Sequence, residues 1–285
     1  MPTSIASEPS SPSPIPCRRD FHFSRLFPGD NLRECLARHE HYLCAKLSLK
    51  PGLSILLVGS GCGDLALELV RFSNVYVRGI DADREKVCSC FHPTRRSRCN
   101  SLTQNDFLAP EYASGCLPQG IVSERYDVVC AVEALRNFGS IYDSLASVLK
   151  PGGKLGIFEW CWSTRFNIHD ADHCRLAGVL ESAAGLRSRA PYQRSVNCAL
   201  QSLRYSGLRI VSYEDLSERP DDIPWYHVLE NALGDSEFPW STNHLTDEVV
   251  PFGALSRPAA SILLEAGKLK LFTPMALIIA ERPHE

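Results

Sequence analysis

Three glycines spaced two residues apart form the strongest chemical signal in this 285-residue sequence. Gly59, Gly61 and Gly63 follow a short apolar run and precede a helix-like segment that begins at Asp64. Glycine lets the backbone turn sharply and lets a ligand approach the main chain where a Cβ atom would clash. The loop reads G-x-G-x-G around Ser60, whereas a dinucleotide-binding loop reads G-x-G-x-x-G. The spacing favours a ligand without a phosphate, and a purely structural glycine turn is the alternative.

Acidic residues follow the next two predicted strands. Asp81 ends the first strand, where a carboxylate can accept both hydrogen bonds of a ribose diol, and Asp83 is a close alternative. Asp106 and Phe107 lie where the second strand should end, so the acid can bind an exocyclic amine and the ring can stack on a purine. A solvated acid at a strand end is the alternative for Asp81 or Asp83 considered singly. Together these sites predict an adenosine pocket, which suits S-adenosylmethionine better than NAD or ATP.

A scaffold of alternating strands and helices must position these residues. Short apolar runs with flanking turns predict strands at residues 54–58, 74–80, 126–132, 154–160, 208–213 and 271–280. Strands that are apolar on both faces indicate a mostly parallel sheet covered by helices. The expected fold is therefore α/β and Rossmann-like, with its ligand site at the carboxyl edge of the sheet.

The sequence predicts one folded domain after a flexible tail. Residues 1–20 are rich in serine and proline and cannot bury enough apolar surface to offset the entropy of ordering. We therefore expect the domain to span residues 21–285. Within it, mainly helical segments at about 161–203 and 225–270 interrupt the alternation, and we interpret them as insertions that form a cap over the sheet edge.

The composition excludes several classes of protein. A formal net charge of −3 argues against a nucleic-acid partner, and no apolar run is long enough to predict stable insertion into a membrane. The twelve cysteines are scattered, and the closest group, Cys88 to Cys99, lacks paired C-x-x-C spacing. Free thiols are therefore expected and no metal site is. With no leader-like segment at the start, a cytoplasmic location is expected.

Beyond these signals, several short strings resemble one known family over about residues 21–283, the sterol 24-C-methyltransferases of fungi and plants. The strings are FHFSR at 21–25, ARHEHYL at 37–43, KPG at 50–52, AVEA at 131–134, VLKPGG at 148–153, FEW at 158–160, EDL at 214–216, IPWY at 223–226 and GKLKLFTPM at 267–275. The HEHY, IPWY and FTPM strings are the most specific to this family.

This resemblance implies a class I methyltransferase, with a mostly parallel seven-stranded sheet, helices on both faces and a helical substrate cap. The family transfers a methyl group from S-adenosylmethionine to an alkene. Glu133 corresponds to an acid that faces the sulfonium or the developing carbocation. The other implied catalytic residues are His39, His41 and Tyr42, and the implied substrate pocket contains Phe23, Trp160, Trp225 and Tyr226. Structural histidines and core packing of the aromatic residues are the alternatives.

Several departures from the family pattern suggest an altered activity. Leu57 replaces an acid, and Asp64-Leu65 replaces Gly-Pro. After Glu133-Ala134, residues 135–138 lack the family's histidine. The aromatic string that would precede Phe21 is absent, so the chain is interpreted as a divergent, N-terminally shortened member.

Three functions are compatible with this pattern. The first is C-methylation of an apolar isoprenoid or polyketide-type secondary metabolite. The second is a pericyclase-like cyclase or isomerase that never transfers the methyl group and keeps S-adenosylmethionine as a structural cofactor. The third is a partner subunit without catalysis. The expected partners are a small apolar substrate of terpenoid, sterol or polyketide type and a second copy of the chain in a homodimer.

Overall fold

A seven-stranded sheet forms the centre of the molecule, for which a computed structural model describes residues 21–89, 107–108, 117, 119–135, 139–183, 194–220, 223–235 and 255–284. The tail predicted at residues 1–20 lies outside the described residues. The strands are β1 Ser54–Val58, β2 Tyr76–Ile80, β3 Phe107–Leu108, β4 Tyr126–Val132, β5 Leu149–Trp162, β6 Arg209–Asp215 and β7 Phe272–Glu281.

The strand order is β3-β2-β1-β4-β5-β7-β6. The first five strands in this order run parallel, and β7 runs antiparallel to both β5 and β6. The predicted Rossmann-like, mostly parallel sheet is confirmed. Strand β1 has β2 on one side and β4 on the other, so the strand order changes direction at β1. Open α/β sheets bind ligands at such a switch point.

Helices cover both faces of the sheet. They are α1 Leu32–Leu47, α2 Asp64–Ser73, α3 Arg84–Ser89, α4 Gln119–Val122, α5 Gly139–Val148, α6 Ala171–Ala183, α7 Val196–Tyr205, α8 His227–Gly234 and α9 Arg257–Lys268. Buried side chains of α1, α2, α6, α8 and α9 pack in one core, and those of α4, α5 and α7 pack in the other. Alternate residues of β1 enter the two cores, since Ile55 and Leu57 belong to the first and Leu56 and Val58 to the second.

The two predicted cap segments contain helices with different neighbours. Helix α9 packs against both α6 and α8, so these three helices form one group. Helix α7 instead packs against α5 and β6. The cap over the sheet edge therefore stays a prediction for α6, α8 and α9, whereas α7 covers the sheet itself.

Strand β5 is longer than the predicted run of 154–160, because it also includes residues 149–153 and 161–162. Tyr126 pairs with Leu149 and Val128 with Lys154, so the extra residues form a bulge in β5. Two backbone hydrogen bonds with Arg282, just after β7, hold this bulge. The Gly152 N–H donates to the Arg282 carbonyl oxygen, and the Arg282 N–H donates to the Gly153 carbonyl oxygen. Tertiary pairing has therefore extended the strand beyond its local pattern.

The register brings three strand ends level at one edge. Val58 pairs with Ile80 on one side and with Ala131 on the other. The glycine loop after β1, Asp81 after β2 and Glu133 after β4 consequently emerge at the same carboxyl edge. This edge is the site that the sequence predicted.

Candidate functional site

The glycine loop folds back over the end of β2. The backbone N–H groups of Gly59 and Ser60 both donate to the Ile80 carbonyl oxygen, at 2.8 and 3.0 Å. Gly61 then donates its N–H to Asp81 Oδ2 at 2.8 Å. Gly59 and Gly61 have φ values of 74° and 53°, which side chains disfavour, so glycine favours this path.

Two polar groups of the loop region are suited to a ligand. The Ser60 side chain is buried, and its hydroxyl has no hydrogen-bond partner within the described structure. A buried hydroxyl without a partner is costly, so a bound polar group that reaches Ser60 would stabilise the loop. Asp81 is partly exposed, and its Oδ1 accepts the backbone N–H of Asp83 at 2.8 Å. Its carboxylate keeps lone pairs for further hydrogen bonds.

The other predicted adenosine contacts are only partly covered by the structure. Phe107 lies in β3, next to Gly79 of β2, which places its backbone at the same sheet edge. Asp106 lies outside the described residues. The interaction of either residue with a nucleobase therefore stays a prediction.

Leu57 and Asp64, the two departures nearest the loop, occupy different environments. The Leu57 side chain is fully buried in the core beneath the sheet, beside apolar residues of α1 and α2. Asp64 is the first residue of α2, where a carboxylate interacts favourably with the helix macrodipole. The leucine is thus core packing, and the aspartate lies at the helix N-terminus.

Glu133 follows β4 in an unusual backbone conformation. Its φ is 51°, and its N–H donates to the Phe158 carbonyl oxygen of β5 at 2.8 Å. The side-chain Oε1 accepts the Phe23 N–H at 2.6 Å. Burial raises the pKa of Glu133 to about 7, although His22 and the Phe23 N–H oppose that rise. A carboxyl that titrates near neutrality can exchange a proton at ordinary pH.

A buried histidine–glutamate pair lies next to this carboxyl. His22 Nε2 and Glu40 Oε1 are 3.2 Å apart, and both side chains are buried. Burial lowers the pKa of His22, but the hydrogen bond and charge of Glu40 and the charge of Glu133 outweigh it, so the pKa is raised. Glu133 therefore lies near an imidazole ring that favours the protonated, positively charged form of His22. His22 was not predicted as a site residue, although it belongs to the FHFSR string.

The three polar residues expected from helix α1 separate in the structure. His39 is buried, and its ring stacks on Phe158 with centroids 3.8 Å apart and lies 5.2 Å from the His22 ring. Burial, followed by the charges of His22 and Arg25, lowers the pKa of His39 well below its usual value. His39 is therefore a neutral neighbour of the Glu133 site, and its Nδ1 has no hydrogen-bond partner in the part of the chain described.

His41 and Tyr42 point elsewhere. His41 Nε2 lies 2.7 Å from Glu68 Oε1, and its ring stacks on Phe72 of helix α2. The Tyr42 hydroxyl donates to Glu214 Oε2 of β6 at 2.7 Å. Both contacts join α1 to neighbouring elements, because only one stripe of a helix can face the sheet. A catalytic role for His41 and Tyr42 stays a prediction.

Aromatic side chains form a wall beside Glu133. The Phe23 ring lies 5.1 Å from Trp225 and 5.7 Å from Trp160, and Trp160 lies 5.8 Å from Phe272. The indole N–H of Trp160 is close enough to lower the pKa of Glu133 but makes no hydrogen bond among the described residues. Phe272 was not predicted as a site residue, since nothing in an apolar strand distinguishes a pocket residue from a core residue.

Trp225 and Tyr226 pack directly on the backbone of helix α9. A Cβ atom at Gly267 would lie 2.7 Å from Tyr226 Cδ1 and 2.8 Å from Trp225 Cζ2. The absence of a side chain at Gly267 therefore sets how closely the two aromatic rings approach the helix. This contact joins the aromatic wall to the helix group of α6, α8 and α9.

The described part of the chain contains no cluster of three or more residues suited to bind a metal ion. The group from Cys88 to Cys99 is not covered, because Cys90, His92 and Cys99 lie outside the described residues. Within the same described ranges, no helix has both the length and the apolar character needed to cross a bilayer.

Comparison with known proteins gives the family of the chain. Residues 254–284 match the family model described as sterol methyltransferase C-terminal. The chain is 30% identical over 295 residues to the sterol 24-C-methyltransferase of Kluyveromyces lactis, an alignment that covers 93% of this chain and 76% of that protein. The chain belongs to the sterol 24-C-methyltransferase family. A second member, from Debaryomyces hansenii, is 29% identical and covers 92% of this chain and 74% of its own length.

Membership of this family confirms two expectations from the sequence. The protein is an enzyme of the methyltransferase type, and its cofactor is S-adenosylmethionine. The identity of about 30% also agrees with the prediction of a divergent member.

Solved structures support the class I methyltransferase fold. The geranyl diphosphate C-methyltransferase of Streptomyces coelicolor superimposes with a TM-score of 0.65 and 13% identity, covering 92% of this chain and 87% of that one. The [4+2]-cyclase SpnF superimposes with a TM-score of 0.64 and 21% identity, covering 93% and 88%. These likenesses concern the fold.

Proposed function

We propose that this member of the sterol 24-C-methyltransferase family methylates an alkene carbon of an apolar isoprenoid or polyketide-type secondary metabolite. The observation that carries the proposal is the position of Glu133. Glu133 follows β4 at the carboxyl edge of the sheet, its carboxyl accepts the N–H of Phe23 in the aromatic wall, and its pKa is about 7. The next residue, Ala134, packs against Gly59 of the glycine loop. Such a group is suited to accept a proton from an apolar substrate.

The residues at the edge fit S-adenosylmethionine. The Gly59–Gly63 loop offers a close backbone approach, and Asp81 offers a carboxylate for the ribose diol. Ser60 offers a buried hydroxyl that has no hydrogen-bond partner among the described residues. Asp83, Asp106 and Phe107 are the proposed further contacts to the nucleoside. When bound, the cofactor supplies an electrophilic methyl group.

The side chains near Glu133 have complementary tasks in this proposal. The aromatic wall excludes water and presents ring faces that attract the positive charge of an electron-deficient carbon. Glu133 then accepts the proton released from the substrate at a carboxylate oxygen. The His22–Glu40 pair stabilises the negative charge that Glu133 carries before it accepts the proton. His39, which stays neutral, completes the wall without adding a second charge.

The departures from the family motif support a substrate other than the family's sterol. Leu57 replaces a family acid and is fully buried, so the side of the loop that the acid would serve has lost a polar partner. Residues 135–138 replace the segment with the family's histidine, directly after Glu133. In the sequence these changes lie next to the glycine loop and to Glu133, while the glycine loop and Asp81 are kept.

The test has a binding arm and a product arm. Calorimetric titration with S-adenosylmethionine should give micromolar affinity, and Asp81→Ala should weaken it by roughly tenfold through loss of the ribose hydrogen bonds. Incubation with a panel of prenylated and polyketide-type alkenes should then yield adenosylhomocysteine and a product heavier by one methylene. Absence of binding by the folded protein would contradict the proposal, and so would binding without any methylated product.

A cyclase or isomerase activity on the same scaffold is the second candidate. The loss of polar groups at Leu57 and after Glu133 favours it, because a rearrangement without methyl transfer needs a preorganised apolar pocket more than it needs a base. A product with the same mass as its substrate would support this candidate, and a mass gain of one methylene would reject it.

The cytoplasmic location and the homodimer remain predictions from the sequence. Subcellular fractionation tests the first. Size-exclusion chromatography with light scattering tests the second, since a dimer has twice the mass of the 31.7 kDa chain.

A further inference from the structure

The segment after Glu133 touches both halves of the candidate site. Glu133 itself faces Phe23 and the aromatic wall. Ala134 packs against the glycine loop so closely that a Cβ atom on Gly59 would lie 2.2 Å from the Ala134 Cβ. Residues 133–135 therefore connect the proton-accepting carboxyl with the loop proposed to hold the cofactor, and a displacement of this segment would alter both.

The last residue of the segment is held by two buried ionisable side chains. The Leu135 N–H donates to Glu159 Oε1 at 3.0 Å, and the Leu135 carbonyl oxygen accepts from Arg194 Nη2 at 3.1 Å. Glu159 is 1% exposed and Arg194 is 4% exposed. The two polar groups of one backbone residue are thus bound by an acid from β5 and a base from the start of α7.

Arg194 reaches this position through its neighbour in sequence. Ser195 forms a bridge with Trp162 at the end of β5 and also caps the N-terminus of helix α7. This bridge brings Arg194 alongside the strand that carries Glu159. The clamp is therefore built from the sheet itself and from the helix that covers it.

The direct contact between the two side chains is longer than a hydrogen bond. Arg194 Nη2 lies 3.9 Å from Glu159 Oε2, and this oxygen makes no hydrogen bond to the described residues. Burial, which Arg194 opposes, raises the pKa of Glu159 to about 8, and the charge of Glu133 adds to the rise. Because a pKa of about 8 leaves Glu159 mostly protonated at neutral pH, its hydrogen bond with the Leu135 N–H matters more than an ion pair with Arg194.

We propose that Glu159 and Arg194 are positioning residues, which clamp the Leu135 backbone and so fix Glu133 and Ala134 relative to the glycine loop. In this proposal both side chains act through the backbone of residues 133–135 and not by direct contact with substrate or cofactor. The inference rests on the proposed function for its catalytic consequence, whereas the positioning of Glu133 can be measured without any reaction.

Two substitutions of Glu159 separate positioning from charge. Glu159→Gln keeps an oxygen that accepts the Leu135 N–H and resembles the protonated acid, so kcat should stay within about threefold of wild type near neutral pH. Glu159→Leu removes the acceptor, and kcat should fall by about tenfold or more because misplacement of a catalytic group is costly. A third variant, Arg194→Lys, keeps the charge but loses the guanidinium group, so its kcat should also fall.

A second measurement is independent of turnover. The protonation midpoint of Glu133 can be followed by the infrared band of its carboxyl group, assigned by the disappearance of that band in Glu133→Gln. In Glu159→Leu and Arg194→Lys a released Glu133 becomes more hydrated, so its midpoint should fall towards that of an ordinary glutamate. In Glu159→Gln it should stay closer to the wild-type midpoint of about 7 than in either of those variants.

A matched control lies at the amino end of β4, the strand that Glu133 follows. Asp127 of β4 also accepts a backbone N–H, from Ser54, and also pairs with a cation, Lys150. Asp127→Asn should leave both the Glu133 midpoint and kcat unchanged.

The proposal is overturned if folded Glu159→Leu keeps both the wild-type kcat and the wild-type Glu133 midpoint. It is also overturned if Glu159→Gln lowers kcat as much as Glu159→Leu does, or if Asp127→Asn shifts the Glu133 midpoint by the same amount. If Glu159→Leu does not fold, Arg194→Lys decides in the same way. If the wild-type protein shows no methyl transfer, the proposed function fails while the infrared titration still decides the clamp.

Discussion

Strand β4 carries a carboxylate at each end, and the two are treated very differently. At the amino end, Asp127 accepts the N–H and the hydroxyl of Ser54 at 2.9 and 2.8 Å and pairs with Lys150 at 2.7 Å. Burial raises its pKa, but these donors outweigh burial, and the pKa is lowered. At the carboxyl end, burial dominates over His22 and one backbone N–H, and the pKa of Glu133 rises to about 7.

The difference shows where the molecule gives up stability for chemistry. Asp127 is ionised and hydrogen-bonded at neutral pH, so its charge supports the junction between β1 and β4. Glu133 is desolvated, strained in its backbone and incompletely compensated, which are features that stability alone does not favour. Asp127 lies near the start of β4 and Glu133 directly follows its end, so the contrast arises from the groups that pack around each end of one strand.

The largest expected effect comes from Glu133→Gln. The amide keeps the shape and one oxygen acceptor for the Phe23 N–H but cannot take a proton, so turnover should fall by about 10²–10⁴-fold. The affinity for S-adenosylmethionine should stay within about threefold, because the loop and Asp81 are untouched. Steady-state kinetics and calorimetry on one preparation would check both values.

Glu133→Asp and Asp127→Asn are the controls for this comparison. Glu133→Asp keeps a titratable group and should retain more activity than Glu133→Gln. Equal activity in Glu133→Gln and wild type would make the carboxyl merely structural.

A smaller effect, on stability rather than turnover, is expected from Asp127→Asn. This change leaves Lys150 without its ionised partner and weakens the acceptor for Ser54, which should cost about 1–2 kcal/mol in the free energy of unfolding. Chemical denaturation with urea measures this loss, while kcat should stay unchanged. A fall in kcat larger than the fall in folded fraction would show that the two ends of β4 are not independent.

The last expected effect is the pH dependence of stability. The pKa of Glu133 is raised in the folded state, so the unfolded chain releases its proton first and stability is lost as pH rises from about 4.5 to about 7. Glu133→Gln lacks this loss, so its melting temperature relative to wild type should increase between about pH 5 and pH 8.

The contribution of Asp127 to stability depends on pH with the opposite sign. Its lowered folded pKa adds stability above the unfolded value of 3.8, and that stability is lost as pH falls through the folded pKa. The loss of unfolding free energy caused by Asp127→Asn should therefore become smaller only at acidic pH. Differential scanning calorimetry at several pH values would check both curves, and parallel curves for the two variants would contradict the contrast.

Local sequence patterns predicted much of the scaffold and the cofactor side of the site. The bounds of β1 and β4 match the predicted runs, because buried parallel strands are continuous apolar segments. The glycine loop and Asp81 adjoin as expected, since each follows directly from the end of its own strand. Chemistry that depends on a strand end and its next residue can therefore be read locally.

The substrate side could not be predicted in the same way. Whether a histidine faces Glu133 depends on which stripe of α1 meets the sheet, and this packing turned His39 inwards and His41 towards helix α2. His22 approaches Glu133 from a segment far away in the chain, so no spacing rule connects them. The aromatic partner Phe272 likewise joins the site only through the pairing of β5 with β7.

The sequence by itself determined the alternation of strands and helices, the glycine turn and the family to which the chain belongs, because these depend on apolar period, backbone freedom and short motifs. Only the tertiary structure decided which carboxyl is desolvated, which histidine accompanies it and which buried pair holds its backbone. The physical reason is that a pKa and a position depend on all the groups packed within a few ångströms, and packing brings those groups together from distant parts of the chain.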